Sequence, residues 1–249
     1  MKLNWTLEHK KALVTGGTKG IGAAIIDAYL DLGAEVITIA RTACELPERW
    51  NSKVTLLTGD LADGTFRGLL RDQVNARWGV VDILVNNVGT NIRKKFEDYS
   101  EEEYRRIFET NLFGMVDLTR SLFPLLKTSG SASILNVASI AGSVDVGSGA
   151  PYGMTKSAII QLTRNLAVEW APHNIRVNTL SPWYIRTPLV DPVLNDPVRL
   201  EKILRRTPMH RVGEPHEIAS IAAFLAMDSA AYITGQDFRI DGGMMAQGL

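Results

Sequence analysis

Tyr152 stands four residues before Lys156 in "SGAPYGMTKSA" (148–158), a segment that reads as the start of a helix. One turn apart on a helix, both side chains point to the same face. A free phenol ionises near pH 10 and is a poor proton donor or acceptor at neutral pH, but an adjacent ammonium stabilises the phenolate and lowers that value. A phenol tuned in this way can protonate a carbonyl oxygen. The pair alone does not decide between chemistry and packing, because an aromatic and a lysine at this spacing occur in many ordinary helices.

A second grouping suits a nucleotide. "TGGTKGIG" (15–22) joins a short apolar run to a helical pattern. Glycines allow a tight turn and close approach to a pyrophosphate, and the helix start offers unpaired N–H groups and a favourable dipole. Gly16, Thr18, Lys19, Gly20, Ile21 and Gly22 are the expected contacts, although the glycine spacing departs from G-x-G-x-x-G. An acidic residue commonly ends the second strand of such a site and accepts the ribose hydroxyls. Here "EVITIAR" offers Ala40 and then Arg41. Arg41 can make charge-assisted contacts to a 2′-phosphate, and Lys19 adds a second cation, which argues for NADP(H) over NAD(H).

These residues need a frame that brings 15–22, 41 and 152–156 together. Short β-branched runs ("KALVTGG", "AEVITIA", "SKVTLLTGD", "VVDILVNNVG") alternate with the helical patterns "GIGAAIIDAYLDLG" and "GTFRGLLRDQVNARWG". That alternation predicts βαβ units and a parallel sheet. Ser100 and Glu103, at capping-box spacing, open one long helix running through "NLFGMVDLTRSLFPLL", and "ASILNVAS" reads as the strand after it. The helix carrying Tyr152 ends near Pro172, "NIRVNTL" is a strand, and "HEIASIAAFLAMD" and "GQDFRI" are a last helix and strand. The expected architecture is a single-domain, doubly wound Rossmann-type α/β fold over residues 1–249, with helices on both faces of a parallel sheet. Prolines interrupt 182–208 around one helical stretch, "VRLEKILRR", so residues 183–210 read as a substrate loop. Its Arg199, Lys202, Arg205 and Arg206 read as a solvated face.

Composition narrows the classes. Lys plus Arg and Asp plus Glu number 27 each in 249 residues, so no global field favours nucleic acid or an anionic membrane. Apolar residues make up 45% and charged residues 22%, as expected of a chain with a sizeable core. Cys44 is the only cysteine, which excludes an internal disulfide and reads as an incidental buried thiol in a reducing compartment. The start "MKLNWTLEHKKALV" carries scattered charges and does not read as a signal peptide, and no apolar run is long enough to span a bilayer. Cytoplasmic residence is the expectation. His210 and His216 lack metal-ligand spacing and read as surface residues.

"TGGTKGIG", "NNVG" (86–89), Asn111, Ser139 in "NVASIAG" and "YGMTK" resemble the short-chain dehydrogenase/reductase family in order and interval, over essentially the whole chain. The nearest likeness is to its tropinone-reductase-like group. The resemblance implies that Tyr152 is the acid/base, that Lys156 lowers its pKa and holds the nicotinamide ribose, and that Ser139 hydrogen-bonds the substrate oxygen. Asn111 would hold a water that passes protons toward Lys156. Asp60 and Leu61 would meet the adenine, Asn87, Val88 and Gly89 would wall the ribose, and Ile185 and Thr187 would hold the carboxamide and pyrophosphate. Trp183 stands where the family usually has glycine, which puts the loop path in question; Val88 for alanine is a milder departure.

The resemblance places the substrate against Ser139, Tyr152, Val144, Val146, Trp183, Tyr184, Leu189 and Met244, an apolar surround with few charges. It implies an NADPH-dependent carbonyl reductase acting on a neutral or hydrophobic ketone. The alternatives are a 3-oxoacyl thioester reductase, with Arg93, Lys94 and Lys95 facing an acyl carrier, or a polyol or sugar alcohol dehydrogenase. From another class, a non-catalytic NADP-binding sensor or scaffold is possible on the same fold. A homotetramer or homodimer built on the long helices that begin near Ser100 and Tyr152 is implied as well.

Overall fold

The β-branched runs form strands β1 (Lys11–Thr15), β2 (Glu35–Ala40), β3 (Val54–Thr58), β4 (Ile83–Asn86), β5 (Ser133–Val137), β6 (Arg176–Pro182) and β7 (Asp237–Ile240). This computed structural model describes residues 5–248. All seven strands join one parallel sheet in the order β3-β2-β1-β4-β5-β6-β7. Leu13 of β1 lies in register with Ile37 on one side and Leu84 on the other. From β1 the chain builds outward to β3 and then returns to lay β4 on the opposite side of β1, which creates the switch point of a doubly wound sheet.

Both faces of the sheet are covered, which is why β1, β2, β4, β5 and β6 are buried along nearly their whole length. Helices α1 (Gly20–Asp31) and α8 (Pro215–Ala226) pack on one face through Ile25, Ile26, Tyr29, Ile218 and Ala222. On the other face lie α2 (Gly64–Trp78), α4 (Gly114–Ser129) and α5 (Ala150–Glu169), with Leu70, Val74, Leu118, Leu122 and Ala167 turned inward. The capping box is formed at the start of α3 (Glu101–Phe108): Ser100 accepts from the Glu103 amide, and Glu103 accepts from the Ser100 amide. The expected long helix does not run straight into α4. A π-helical turn, Glu109–Phe113, intervenes and places Asn111 inside. Such extra-residue turns often redirect a side chain at functional sites.

The irregular stretch after β6 is also more ordered than its prolines suggest. It holds two helices rather than one, α6 (Asp191–Leu194) and α7 (Pro197–Arg206). Asp196 caps α7 by accepting from the Val198 and Arg199 amides, and Val193, Leu194, Ile203 and Val212 form a small core of their own. Prolines at 192 and 197 sit in the first turns of these helices, where a missing N–H costs nothing.

Candidate active site

The glycine loop between β1 and α1 is held by three side chains that come from neighbouring strands. Thr15 Oγ1 donates to the Val85 carbonyl (3.1 Å) and accepts from the Asn87 and Val88 amides (2.9 and 3.3 Å). The Asn87 amide group donates to the Thr15 and Gly16 carbonyls at 3.0 Å each. Thr38 Oγ1 donates to the Val14 carbonyl (2.7 Å) and accepts from Gly17 N–H (3.0 Å). Gly16 and Gly20 take positive φ, +67° and +58°, which other residues adopt at a cost. Helix α1 then begins with neither a side-chain cap nor an acidic residue in its first turn. An uncapped start of this kind suits an anion.

The loop borders a cavity of ≈ 400 Å³ at the carboxyl ends of the strands, inside the range of roughly 300–1,000 Å³ usual for small-molecule sites. Gly16, Thr18, Lys19, Gly20 and Ile21 line it, together with Arg41, Asp60, Leu61, Asn87, Val88, Gly89, Ile185 and Thr187. Gly22 does not; a Cβ there would stand 2.4 Å from the Gly16 carbonyl oxygen, so its role is to let α1 close against the loop. Lys19 and Arg41 are exposed at the cavity and have no carboxylate within ion-pair distance among the described residues. Cys44 also borders it and is exposed, not buried as expected, because the chain leaves the sheet after Ala40 and runs over the cavity edge.

Ser139, Tyr152 and Lys156 line the same cavity. Ser139 follows β5, and its Oγ accepts from the Ala141 amide (3.1 Å), which leaves the hydroxyl proton free to be donated. That turn lies hard against α5: a Cβ on Gly142 would meet the Lys156 carbonyl carbon at 2.8 Å, and Ser157 Oγ donates to the Gly142 carbonyl (2.6 Å). Lys156 is 3% exposed; its Nζ donates to the Val137 carbonyl (2.8 Å) and stands 5.5 Å from the centre of the Tyr152 ring. Burial pushes the ammonium down to about 8. The expected lowering of Tyr152 is not what the structure shows. Burial pushes the phenol up, opposed by the Ser139 hydroxyl and the Arg93 guanidinium, while Tyr184 reinforces the rise.

Asn111 lies one layer behind. Its side chain accepts from Thr90 N–H (2.7 Å) and donates to the Thr90 carbonyl (2.9 Å) and Thr155 Oγ1 (3.4 Å), so it ties the π turn to the "NNVG" loop. A Cβ on Gly89 would be 3.7 Å from both Asn111 Oδ1 and Lys156 Nζ, so both groups reach the face of this glycine. Nothing local in the sequence points to Thr15, Thr38 and Gly142 as parts of the site. The threonines sit inside apolar strands and carry no local signal, whereas the glycine's signal, close approach to α5, exists only in three dimensions.

A second cavity, ≈ 890 Å³, adjoins the first at Trp183. Val144, Val146, Tyr184 and Met244 line it as well, but Leu189 lines the first cavity instead. Trp183 needs no left-handed backbone: its N–H donates to the Ile240 carbonyl (3.0 Å), its indole N–H to Thr207 Oγ1 (3.1 Å), and its ring meets Tyr184 edge-on at 4.6 Å. The expectation of few charges fails here. Arg93, Lys94 and Lys95 border this cavity, as do Arg199, Lys202 and Arg206 of α7. Those three helical cations recur at positions i, i+3 and i+7, one stripe of α7, and that stripe faces the cavity rather than open solvent alone. His210 and His216 are exposed, and no group of His, Cys, Asp or Glu among the described residues could hold a metal ion.

A doubly wound sheet with an uncapped glycine loop at its switch point and a Ser-Tyr-Lys cluster beside it defines a dinucleotide-dependent oxidoreductase. A family model described as Enoyl-(Acyl carrier protein) reductase matches residues 16–245, and the chain belongs to the short-chain dehydrogenase/reductase family. It is 45% identical over 251 residues to a tropinone reductase homolog of Arabidopsis thaliana, an alignment that covers 98% of this chain and 95% of the relative. The ligand-free aldohexose dehydrogenase of Thermoplasma acidophilum superposes with TM-score 0.88 at 33% identity, covering 97% of this chain and 96% of that one. A gluconate 5-dehydrogenase from Burkholderia cenocepacia, in complex with NADP and tartrate, gives TM-score 0.93 at 27% identity, covering 98% of both chains. Among the described residues, no helix is long and apolar enough to cross a membrane.

Proposed function

We propose that the protein is an NADPH-dependent carbonyl reductase that converts a ketone with a hydrophobic body to a secondary alcohol. One observation carries this reading: a single cavity joins the uncapped glycine loop and two unpaired cations, Lys19 and Arg41, to Ser139, Tyr152 and Lys156. The loop, the helix start and the two cations fit a dinucleotide 2′-phosphate and pyrophosphate. NADPH, when bound, supplies the hydride.

The chain's own residues supply the proton and the positioning. Ser139 donates to the substrate oxygen, and Tyr152 transfers its phenolic proton to that oxygen as the carbon is reduced. Burial keeps Tyr152 protonated near neutral pH, the form an acid needs. The buried Lys156 ammonium, eased toward release, returns the proton to the phenolate, with Asn111 bracing the loop behind it. In the oxidative direction Tyr152 is the base.

A 3-oxoacyl thioester reductase is the second reading, favoured by the basic residues around the larger cavity. The test is NADPH oxidation over a panel of ketones and oxoacyl thioesters. Tyr152→Phe is expected to lower turnover by about 10²–10⁴-fold while NADPH still binds; unchanged turnover would overturn the assignment and leave the sensor or scaffold reading. We also place the enzyme in the cytoplasm, where an exposed single thiol such as Cys44 stays reduced.

A further inference from the structure

Six cations border the larger cavity, and Asp145 is the one acidic residue that does so. Asp145 is committed locally, accepting from Gly147 N–H (3.0 Å). Lys94 is paired with Glu103 (2.6 Å) and Arg199 with Asp196 (3.4 Å). Arg93, Lys95, Lys202 and Arg206 have no carboxylate within ion-pair distance among the described residues. Four like charges gathered round one opening repel one another and are tolerated best when an anion sits among them.

The collar is built rather than loose. The Tyr99 hydroxyl donates to the Ile92 carbonyl and accepts from Lys94 N–H (3.4 Å), which closes the segment carrying Arg93–Lys95 on itself. Helix α7 is capped by Asp196 and anchored by buried Ile203, so its cationic stripe has a set direction. The rest of the lining is largely apolar: Val144, Val146, Trp183, Tyr184 and Met244. Trp183 also lines the cavity that holds Ser139 and Tyr152.

We propose that the substrate is an anionic oxo compound, an apolar body whose carbonyl reaches Tyr152 and whose carboxylate or phosphate is held by Arg93, Lys95, Lys202 and Arg206. The inference rests on the reductase reading and adds the substrate class. A protonated aminoketone such as tropinone would bring its cation to a basic rim, so this chain is expected to disfavour it. Arg93 has a second consequence, since its guanidinium acts on Tyr152 as well as on the substrate anion.

The test compares matched pairs, aliphatic oxo acids of several lengths and their neutral methyl esters, with an oxoacyl-coenzyme A as a phosphate-bearing arm and tropinone as the cationic one. For the wild type, kcat/KM is expected to favour the acid or the coenzyme A ester over the neutral ester by roughly tenfold or more, with the gap shrinking as salt is added. A better acid assigns a carboxylate to the collar, and a better coenzyme A ester assigns phosphate. The Lys202→Ala/Arg206→Ala double variant is expected to bring the acid-to-ester ratio toward one through KM, with NADPH affinity unchanged as proof of folding. Neutral esters or tropinone reduced as well as the anions, or a ratio the double variant does not move, would overturn the proposal while leaving the reductase reading intact. Reduction of none of these compounds, nor of any simple ketone, would remove the reductase reading itself and this one with it.

Discussion

At the scale of single residues, Lys156 shows how a site carries a cost in stability. Its folded pKa of about 8 lies below the ordinary 10.5, because burial disfavours the ammonium. The unfolded chain therefore binds this proton more tightly than the native one. Between about pH 8 and 10.5 native stability should rise with pH, and below about 8 the cost is constant. Lys156→Met is expected to be more stable than the wild type at pH 7, by on the order of 1–3 kcal/mol, and to lose the rise above pH 8 along with most reductase activity. Denaturant titrations at pH 7, 8, 9 and 10 check both statements, and a less stable variant at pH 7 would contradict them. Arg41 carries the other residue-scale prediction. Unpaired at the cavity edge, it should lose its phosphate role in Arg41→Asp, so that the NADPH-to-NADH preference falls by about tenfold or more; cofactor-dependent kcat/KM measures it.

At the scale of elements, the glycine loop is shaped by contacts that cannot rotate away. A Cβ on Gly22 meets the Gly16 carbonyl oxygen at 2.4 Å and Gly17 Cα at 2.9 Å, both backbone atoms. Gly22→Ala is expected to push the loop off α1, weakening NADPH binding and costing about 1–3 kcal/mol of stability. Gly68 in α2 offers the contrast, since nothing lies within 4 Å of a Cβ there. Gly68→Ala should stabilise by about 0.5–1 kcal/mol with no effect on NADPH affinity. Thermal melts and NADPH fluorescence titrations of the two variants separate loop packing from helix propensity. The π turn behaves like Gly22: the sequence places Asn111 inside one long helix, yet the extra residue turns it toward Thr90 and Thr155.

At the scale of the whole molecule, charge and exposed apolar surface point outward. A formal net charge of zero conceals a basic collar, since the balancing carboxylates lie elsewhere on the surface. Helix α5 leaves Met154 and Val168 53% and 77% exposed, roughly four turns apart and so on one face. That face supports the proposed assembly through the long helices, a homotetramer or homodimer. Light scattering on the eluted protein should give a mass of two or four chains, and Val168→Glu should shift it toward a smaller species. A monomeric wild type would remove the assembly proposal.

The chain's own pattern was enough for the alternating strands and helices, the parallel sheet, the glycine loop and the Tyr152–Lys156 spacing, because each depends on neighbours in sequence: side-chain period, turn chemistry, a helical repeat of nearly four. The Ser100–Glu103 cap was legible for the same reason. What tertiary structure decided are meetings between segments far apart in the chain. The threonines that brace the glycine loop, the glycine that lets the Ser139 turn lie on α5, and the direction of Tyr152's ionisation all depend on which surfaces bury one another. The basic collar is the clearest case. In the sequence the α7 stripe reads as a solvated face and Arg93–Lys95 as a separate basic patch, and only the sheet's winding brings them to one cavity, where Coulomb repulsion between them becomes a preference for an anion.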